Sequence, residues 1–316
     1  MNKQTLRPLN FNEFIGQEKL KITLKTMISG ALHRKEAIDH ILFYGPPGVG
    51  KTTLATILAQ ELNVKIHYLQ GSLLEKKSDI LSVFANVNNN DIVFIDEVHS
   101  VNNNIEELIY NAMEDFKIDL IIGPEGNSKV LRMNLKPFTL IAATTKPNLI
   151  SQPFKDRFGF KAKLNPYSQE DIIKILQNNQ QKLEITVEQG VLDLIARYSR
   201  NTPRVANHLL KRVFDFSIIE KEEYITKQTV RKTFQHLDLY DLGLNRDHID
   251  YLMTLNEVFE TKYASLESLA GILNFPKDSL IYEIEPLLLN LKLIRKSPRG
   301  RTITTKGIDY LINQNV

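Results

Sequence analysis

One short segment limits what this chain can fold into more than any other. Ile41-Leu-Phe-Tyr44 is a continuous apolar run of the length of a strand buried on both faces, and it leads directly into Gly45-Pro-Pro-Gly-Val-Gly-Lys51-Thr52. The glycines let the backbone curl so that successive N–H groups face one point, and the helix predicted over residues 53–62 adds its N-terminal dipole. This is a complete phosphate-binding loop. Lys51 is placed to reach the β- and γ-phosphates of a nucleotide and the Thr52 hydroxyl to ligate Mg²⁺, with Gly48, Gly50 and Thr53 in the same cradle. A strand, a phosphate loop and a helix in that order predict an α/β P-loop NTPase domain.

Hydrolysis needs more than a cradle. Asp91-Ile-Val-Phe-Ile-Asp96-Glu97 reads as a second buried strand ending in adjacent carboxylates. Side chains alternate at a strand end, so the two acids take different parts: Asp96 holds Mg²⁺, mostly through water, and Glu97 polarises the attacking water. A third apolar strand, Phe138-Thr-Leu-Ile-Ala-Ala-Thr144-Thr145, ends in hydroxyls at the edge where open α/β sheets bind ligands. Thr145 is placed there either to sense the γ-phosphate or position water, or simply as a strand former before the Lys146-Pro147 turn. Asp156-Arg157-Phe158-Gly159 sets an arginine on a loop, where an isolated arginine commonly makes a surface ion pair.

Composition removes other chemistries. With 316 residues, 42% of them hydrophobic, the chain can bury more than one core, so two or three domains are expected. A net charge of +3 allows nucleic-acid binding only through a local patch. The absence of cysteine excludes disulfides, iron–sulfur clusters and thiol nucleophiles, and fits a reducing compartment. The amino-terminal residues lack the apolar core of a signal peptide, and no apolar run is long enough to span a bilayer, so the expected location is cytoplasmic, with no membrane contact. The seven histidines show no metal-ligand spacing and read as structural, leaving Mg²⁺ as the expected metal.

Three further segments stand out. Residues 117–135 read as a β-hairpin turning at 123–128, with Leu131, Met133 and Leu135 alternating against Arg132 and Asn134; its apolar positions suit either a docking surface or packing on the core. After Asn165-Pro166-Tyr167, a capping-box-like Ser168-Gln-Glu-Asp171 opens a stretch with apolar residues at helical spacing, a small helical lid that carries Arg204. From about Leu239 come three amphipathic helices and then a hairpin in which Lys292, Arg295, Lys296, Arg299, Arg301 and Lys306 stand without an acid, the pattern of a winged helix whose tip, Pro298-Arg299-Gly300-Arg301, can press cations against phosphates. The predicted division is a large ATPase domain over residues 1–164, a small all-α lid over 165–238 and a C-terminal winged-helix domain over 239–316.

The order of these motifs resembles the AAA+ superfamily, and exact phrases narrow it. Leu6-Arg7-Pro8, Phe14-Ile-Gly-Gln17, Phe94-Ile-Asp-Glu-Val-His99, Ala112-Met-Glu-Asp-Phe116, Pro137-Phe-Thr-Leu140, Thr202-Pro-Arg-Val-Ala-Asn207 and Pro298-Arg-Gly-Arg301 are similar to the RuvB family of Holliday-junction branch-migration ATPases. That resemblance implies ATP and Mg²⁺ as cofactors and a homo-oligomeric ring, a hexamer, acting on Holliday junction DNA. It also implies RuvA as a partner docking on the 117–135 hairpin, and a RuvC-type resolvase as a candidate further partner. By residue, it makes Arg157 an arginine finger for the neighbouring subunit and Arg204 a phosphate sensor in its own subunit. Leu6, Arg7, Glu114, Asp115, Phe116 and Tyr167 then line nucleotide, and Lys296, Arg299 and Arg301 contact DNA. Lys155, Lys146, Ser100 and Asn201 depart from the family pattern and put secondary contacts in doubt. A clamp-loader-like ATPase and a nucleotide-switched DNA-binding scaffold remain as alternatives.

Overall fold

The computed structural model describes residues 6–122 and 129–314, so the expected hairpin turn at 123–128 lies outside the described residues. The chain divides into two compact units, one reaching Leu183 and including Thr202–Arg204, the other comprising Glu184–Asn201 and the residues from Val205 onward.

The first unit runs α1 (Glu18–Arg34), β1 (Ile41–Tyr44), α2 (Lys51–Leu62), β2 (Ile66–Gln70), α3 (Lys77–Phe84), β3 (Ile92–Asp96), α4 (Asn103–Asp115), β4 (Lys117–Ile122), β5 (Lys129–Asn134), β6 (Thr139–Thr144), α5 (Gln152–Asp156), β7 (Phe160–Lys163) and α6 (Gln169–Lys182). Five strands form one parallel sheet in the order β2-β3-β6-β1-β7. Its three central strands are apolar on both faces because helices cover both: every residue of Ile41–Phe43, Ile92–Ile95 and Leu140–Ala143 is at most 2% exposed. The register sets Tyr44 beside Thr144 and Ile95 beside Ala142, so the three strands end together. Gly45 turns the chain immediately beyond β1 at φ 146°, where a Cβ would stand 2.3 Å from the Leu164 carbonyl oxygen. Strands β4 and β5 pair antiparallel from Lys117 opposite Asn134 to Ile122 opposite Lys129. The hairpin's apolar residues divide between the core and the surface. Ile118 is buried and Met133 and Leu135 pack on the core, whereas Val130 and Leu131 are 68% and 54% exposed.

The second unit continues with α7 (Val191–Tyr198), α8 (Pro203–Ile219), α9 (Lys227–His236), the two-residue strands β8 (Leu239–Tyr240) and β9 (Leu244–Asn245), α10 (Arg246–Met253), α11 (Leu266–Leu273), α12 (Lys277–Ser279), α13 (Glu285–Asn290), β10 (Ile294–Ser297), β11 (Gly300–Ile303) and α14 (Thr305–Asn313). The carboxy-terminal part is a winged helix, as the order of helices and basic hairpin predicts. Tyr251, Leu252, Leu269, Leu280 and Leu288 are fully buried in its core. The wing is the antiparallel pair β10–β11, with Lys296 opposite Arg301. Ala264 joins it as a third edge: its N–H donates to the Arg301 carbonyl at 2.8 Å and its carbonyl accepts the Arg301 N–H at 2.9 Å. The closing helix α14 was absent from the sequence expectation; Gly307 in its first turns weakens the helical signal, and Thr304 starts it by accepting the Gly307 N–H. Among the described residues no helix is long and apolar enough to cross a membrane.

Beneath the wing lies a buried charge. Glu285, 1% exposed, accepts hydrogen bonds from Arg301 Nε at 2.7 Å, Lys296 Nζ at 3.1 Å and the Tyr251 hydroxyl at 3.0 Å. Burial is the largest single influence on its carboxyl and pushes the pKa up, but the Arg301 and Lys296 hydrogen bonds, the Arg301 charge and the Tyr251 hydrogen bond together outweigh it, leaving the group below the usual glutamate range. The cluster generates a stability prediction. Glu285→Gln keeps shape but strands the Arg301 guanidinium, and should cost about 3–5 kcal/mol of the winged-helix domain's stability. A depressed carboxyl stabilises the fold above its unfolded pKa and ceases to do so as acid titrates it. Thermal melts of wild type and variant should therefore differ most near pH 7 and converge below about pH 4.5.

Candidate functional site

The strand ends bring Lys51, Thr52, Asp96, Glu97 and Thr145 together. Lys51 opens α2 and is 6% exposed; its Nζ donates to the Gly45 and Pro46 carbonyls at 2.8 and 2.9 Å, which holds the ammonium inside the loop. Burial lowers its pKa, while the charges of Glu97 and Asp96 oppose that shift and Arg204 adds to it. Thr52 Oγ1 donates to Asp96 Oδ2 at 3.2 Å, so the loop hydroxyl and the carboxylate at the end of β3 converge on one place. Paired hard oxygens of this kind suit Mg²⁺, which takes a few protein ligands and completes its octahedron with phosphate and water. Among the described residues there is no cluster of three or more His, Asp or Glu side chains that could hold a metal by itself.

Glu97 differs from Asp96 in just the way strand alternation requires. It leaves β3 at φ 48°, a left-handed conformation, and its Oε2 accepts from the Thr145 N–H at 3.3 Å and the Thr145 hydroxyl at 3.1 Å. His99 adds a third contact, its Nδ1 standing 3.1 Å from Glu97 Oε2 and 2.9 Å from Thr144 Oγ1. The sequence reading took His99 for a structural residue. The signal that could have found it is its place two residues beyond Glu97, on the turn leaving an acidic strand end.

The nucleotide-side groups divide into two sets. Around the loop, a Cβ on Gly50 would meet the Phe14 ring at 3.0 Å, one on Gly16 would meet Tyr167 at 2.9 Å, and one on Gly48 would meet Thr202 and Arg204 at 2.7 and 3.0 Å. Tyr167 donates its hydroxyl to the Val49 carbonyl at 3.2 Å, and burial raises its pKa, so it stays protonated. Tyr167 and Arg204 thus stand at the loop where the sequence put them, and Phe14 and Thr202 join them unforeseen. Leu6 is buried and Arg7 exposed. The other set is elsewhere. Glu114, Asp115 and Phe116 close α4 at the edge where β1 and β6 begin: Phe116 packs edge-on against Phe138, and His40 reaches the Met113 carbonyl at 3.2 Å. Arg157 shares that edge, since Phe160 pairs with Ile41. Its Nη2 donates to Glu114 at 3.0 Å and its guanidinium lies 4.7 Å from the centre of the Tyr110 ring, while its Nε is buried with no partner among the described residues. Within one molecule the length of β1 separates Lys51 from Glu114–Phe116.

The wing cations also divide. Arg299 is exposed at the turn, whereas Arg301 is committed to Glu285 and Lys296 shares that partner while keeping its side chain 43% exposed. On the opposite side of the hairpin, Lys292, Arg295 and Lys306 line a groove of about 360 Å³ with Leu289, Ile294, Thr304 and Thr305.

Comparison with known proteins agrees with this layout. The chain matches the family models described as the Holliday junction DNA helicase RuvB P-loop domain over residues 6–164, the RuvB AAA lid domain over 167–240 and the RuvB C-terminal winged helix domain over 241–312. It is 52% identical over 313 residues to the Holliday junction branch migration complex subunit RuvB of Mycoplasmopsis synoviae, covering 99% of each chain. The same subunit of Mycoplasmopsis pulmonis is 52% identical over 309 residues, 98% of each. Among solved structures, the Thermotoga maritima RuvB Holliday junction branch migration motor is similar with a TM-score of 0.82 at 36% identity, over 97% of this chain and 98% of that one.

The loop geometry yields a direct test. Lys51→Ala removes the only ammonium held in the cradle among the described residues without touching the core, so the variant should fold as wild type yet lose turnover by at least about 100-fold, measured as phosphate release alongside fluorescent-nucleotide binding.

Proposed function

The chain belongs to the RuvB family, and from that premise we propose that it is the ATP-hydrolysing motor subunit of a Holliday junction branch migration complex. Residues 1–164 act as the ATPase domain, 165–238 as the lid and 239–316 as the DNA-binding head. ATP lies on the Gly48–Thr53 loop beside Tyr167, Leu6 and Arg7. Thr52 and Asp96 would hold Mg²⁺, which would supply charge neutralisation to the phosphates. Glu97 accepts the proton of the attacking water, Thr145 fixes that carboxylate, and Arg204, beside Gly48, faces the phosphates.

One observation carries the assembly. Arg157 lies where β1 begins and Lys51 where it ends, roughly 10 Å of strand apart before the loop is added. A guanidinium so placed cannot reach the γ-phosphate in its own molecule, but it can complete the site of a neighbour together with Glu114, Asp115 and Phe116. We therefore infer a closed homo-oligomeric ring; its being a hexamer, and its cytoplasmic location, are proposed from the family resemblance alone. The exposed Val130 and Leu131 of the 117–135 hairpin serve as the docking surface for RuvA, and a RuvC-type resolvase is a further candidate partner. At the head, Arg299 presses on backbone phosphate while Lys296 and Arg301 hold the wing that presents it.

Two outcomes follow. Arg157→Ala should lower turnover by about 10³-fold or more when alone, and mixing it with wild-type subunits should leave active sites in proportion to wild-type fingers supplied; equal loss at every mixing ratio would contradict a finger acting between subunits. Arg299→Ala should weaken junction binding uniformly across sequences and reduce the slope of log K against log salt by about one, read by fluorescence anisotropy.

A further inference from the structure

We propose that His99 is a positioning residue for hydrolysis, acting through Glu97; this rests on the reading of Glu97 as the group that takes the proton from water. Glu97 Oε2 is surrounded by donors: the Thr145 N–H at 3.3 Å, the Thr145 hydroxyl at 3.1 Å and His99 Nδ1 at 3.1 Å. The two Thr145 contacts both come from the end of β6. His99 is the one group of the three that approaches from the turn after β3, so it supplies the direction that the threonine does not.

Thr144 is the second partner of the same imidazole nitrogen. Its Oγ1 accepts the Lys146 N–H at 2.9 Å and stands 2.9 Å from the same Nδ1. If Nδ1 carries the proton, it donates to Thr144 Oγ1 and turns its positive edge toward Glu97 Oε2, 3.1 Å away. If Nδ1 carries a lone pair, it faces a carboxylate lone pair at 3.1 Å, which is repulsive. The carboxylate therefore selects the Nδ1–H form. His99 in turn ties Glu97 to the strand end that already holds it through Thr145. With Oε2 fixed on two sides, the carboxylate cannot rotate about its terminal bond, and the other oxygen is left to face water. His99 itself is partly buried beside the site and touches no reacting atom, so its contribution is orientation alone.

The test uses His99→Ala, His99→Leu and His99→Asn in the full-length protein. An asparagine amide nitrogen occupies the place of Nδ1 and can donate the same hydrogen bond, whereas alanine and leucine cannot. We expect kcat for ATP to fall roughly 10- to 100-fold in the alanine and leucine variants with KM for ATP unchanged, and the asparagine variant to recover most of the loss. A merely structural role would lower thermal stability and would not distinguish asparagine from leucine in kcat. Wild-type kcat in the leucine variant, or an asparagine variant as slow as leucine, overturns the proposal. Glu97→Gln is measured in parallel: full turnover there would remove Glu97 from the chemistry, a failure of the underlying reading that is separable from any His99 result.

Discussion

Everything in the site descends from the register of three parallel strands. Because β1, β3 and β6 run the same way and end level, the phosphate loop, the Asp96–Glu97 pair and the Thr144–Thr145 pair emerge at one edge within hydrogen-bond distance of one another. A shift of one residue in β3 would turn Asp96 away from Thr52 and bring a buried apolar side chain to the loop. The apolar surface on both faces of these strands holds the register, so the hydrophobic core and the catalytic geometry are one constraint expressed twice.

The same sheet explains why some of this was readable in the amino-acid sequence and some was not. The loop, the acidic strand end and the basic hairpin announce themselves because each carries its chemistry within a few consecutive residues. Lys51, Thr52, Asp96, Glu97 and Thr145 come together as those local signals imply. That Glu114 to Phe116 stand at the opposite end of the strands from Lys51 was not legible, because nothing in a local phrase says which end of a sheet a helix terminus will reach. His99 was passed over for the related reason that its partners, Thr144 and Glu97, approach it from two different strands. Arg301 is the clearest case: a cation in a run of cations reads as solvent-facing, and only the fold reveals the buried Glu285 beneath it.

The departures from the family pattern also gain physical content. Lys146 is exposed, but its backbone N–H closes the Thr144 hydroxyl, a contact any residue at that position can make. Lys155 sits in the short helix just before Arg157, where the arginine's own anchors are Glu114, Tyr110 and the Pro153 carbonyl. Neither change touches the groups that converge on the phosphate loop.

The clamp on the wing has a mechanical meaning. Ala264 gives β11 two backbone hydrogen bonds from outside the hairpin, Gly300 lies flush against its carbonyl, and Glu285 draws Arg301 and Lys296 down from below. A hairpin fastened along one edge and at its base is stiff. A push on its exposed turn is resisted by the buried helices beneath instead of being taken up as bending of the hairpin itself.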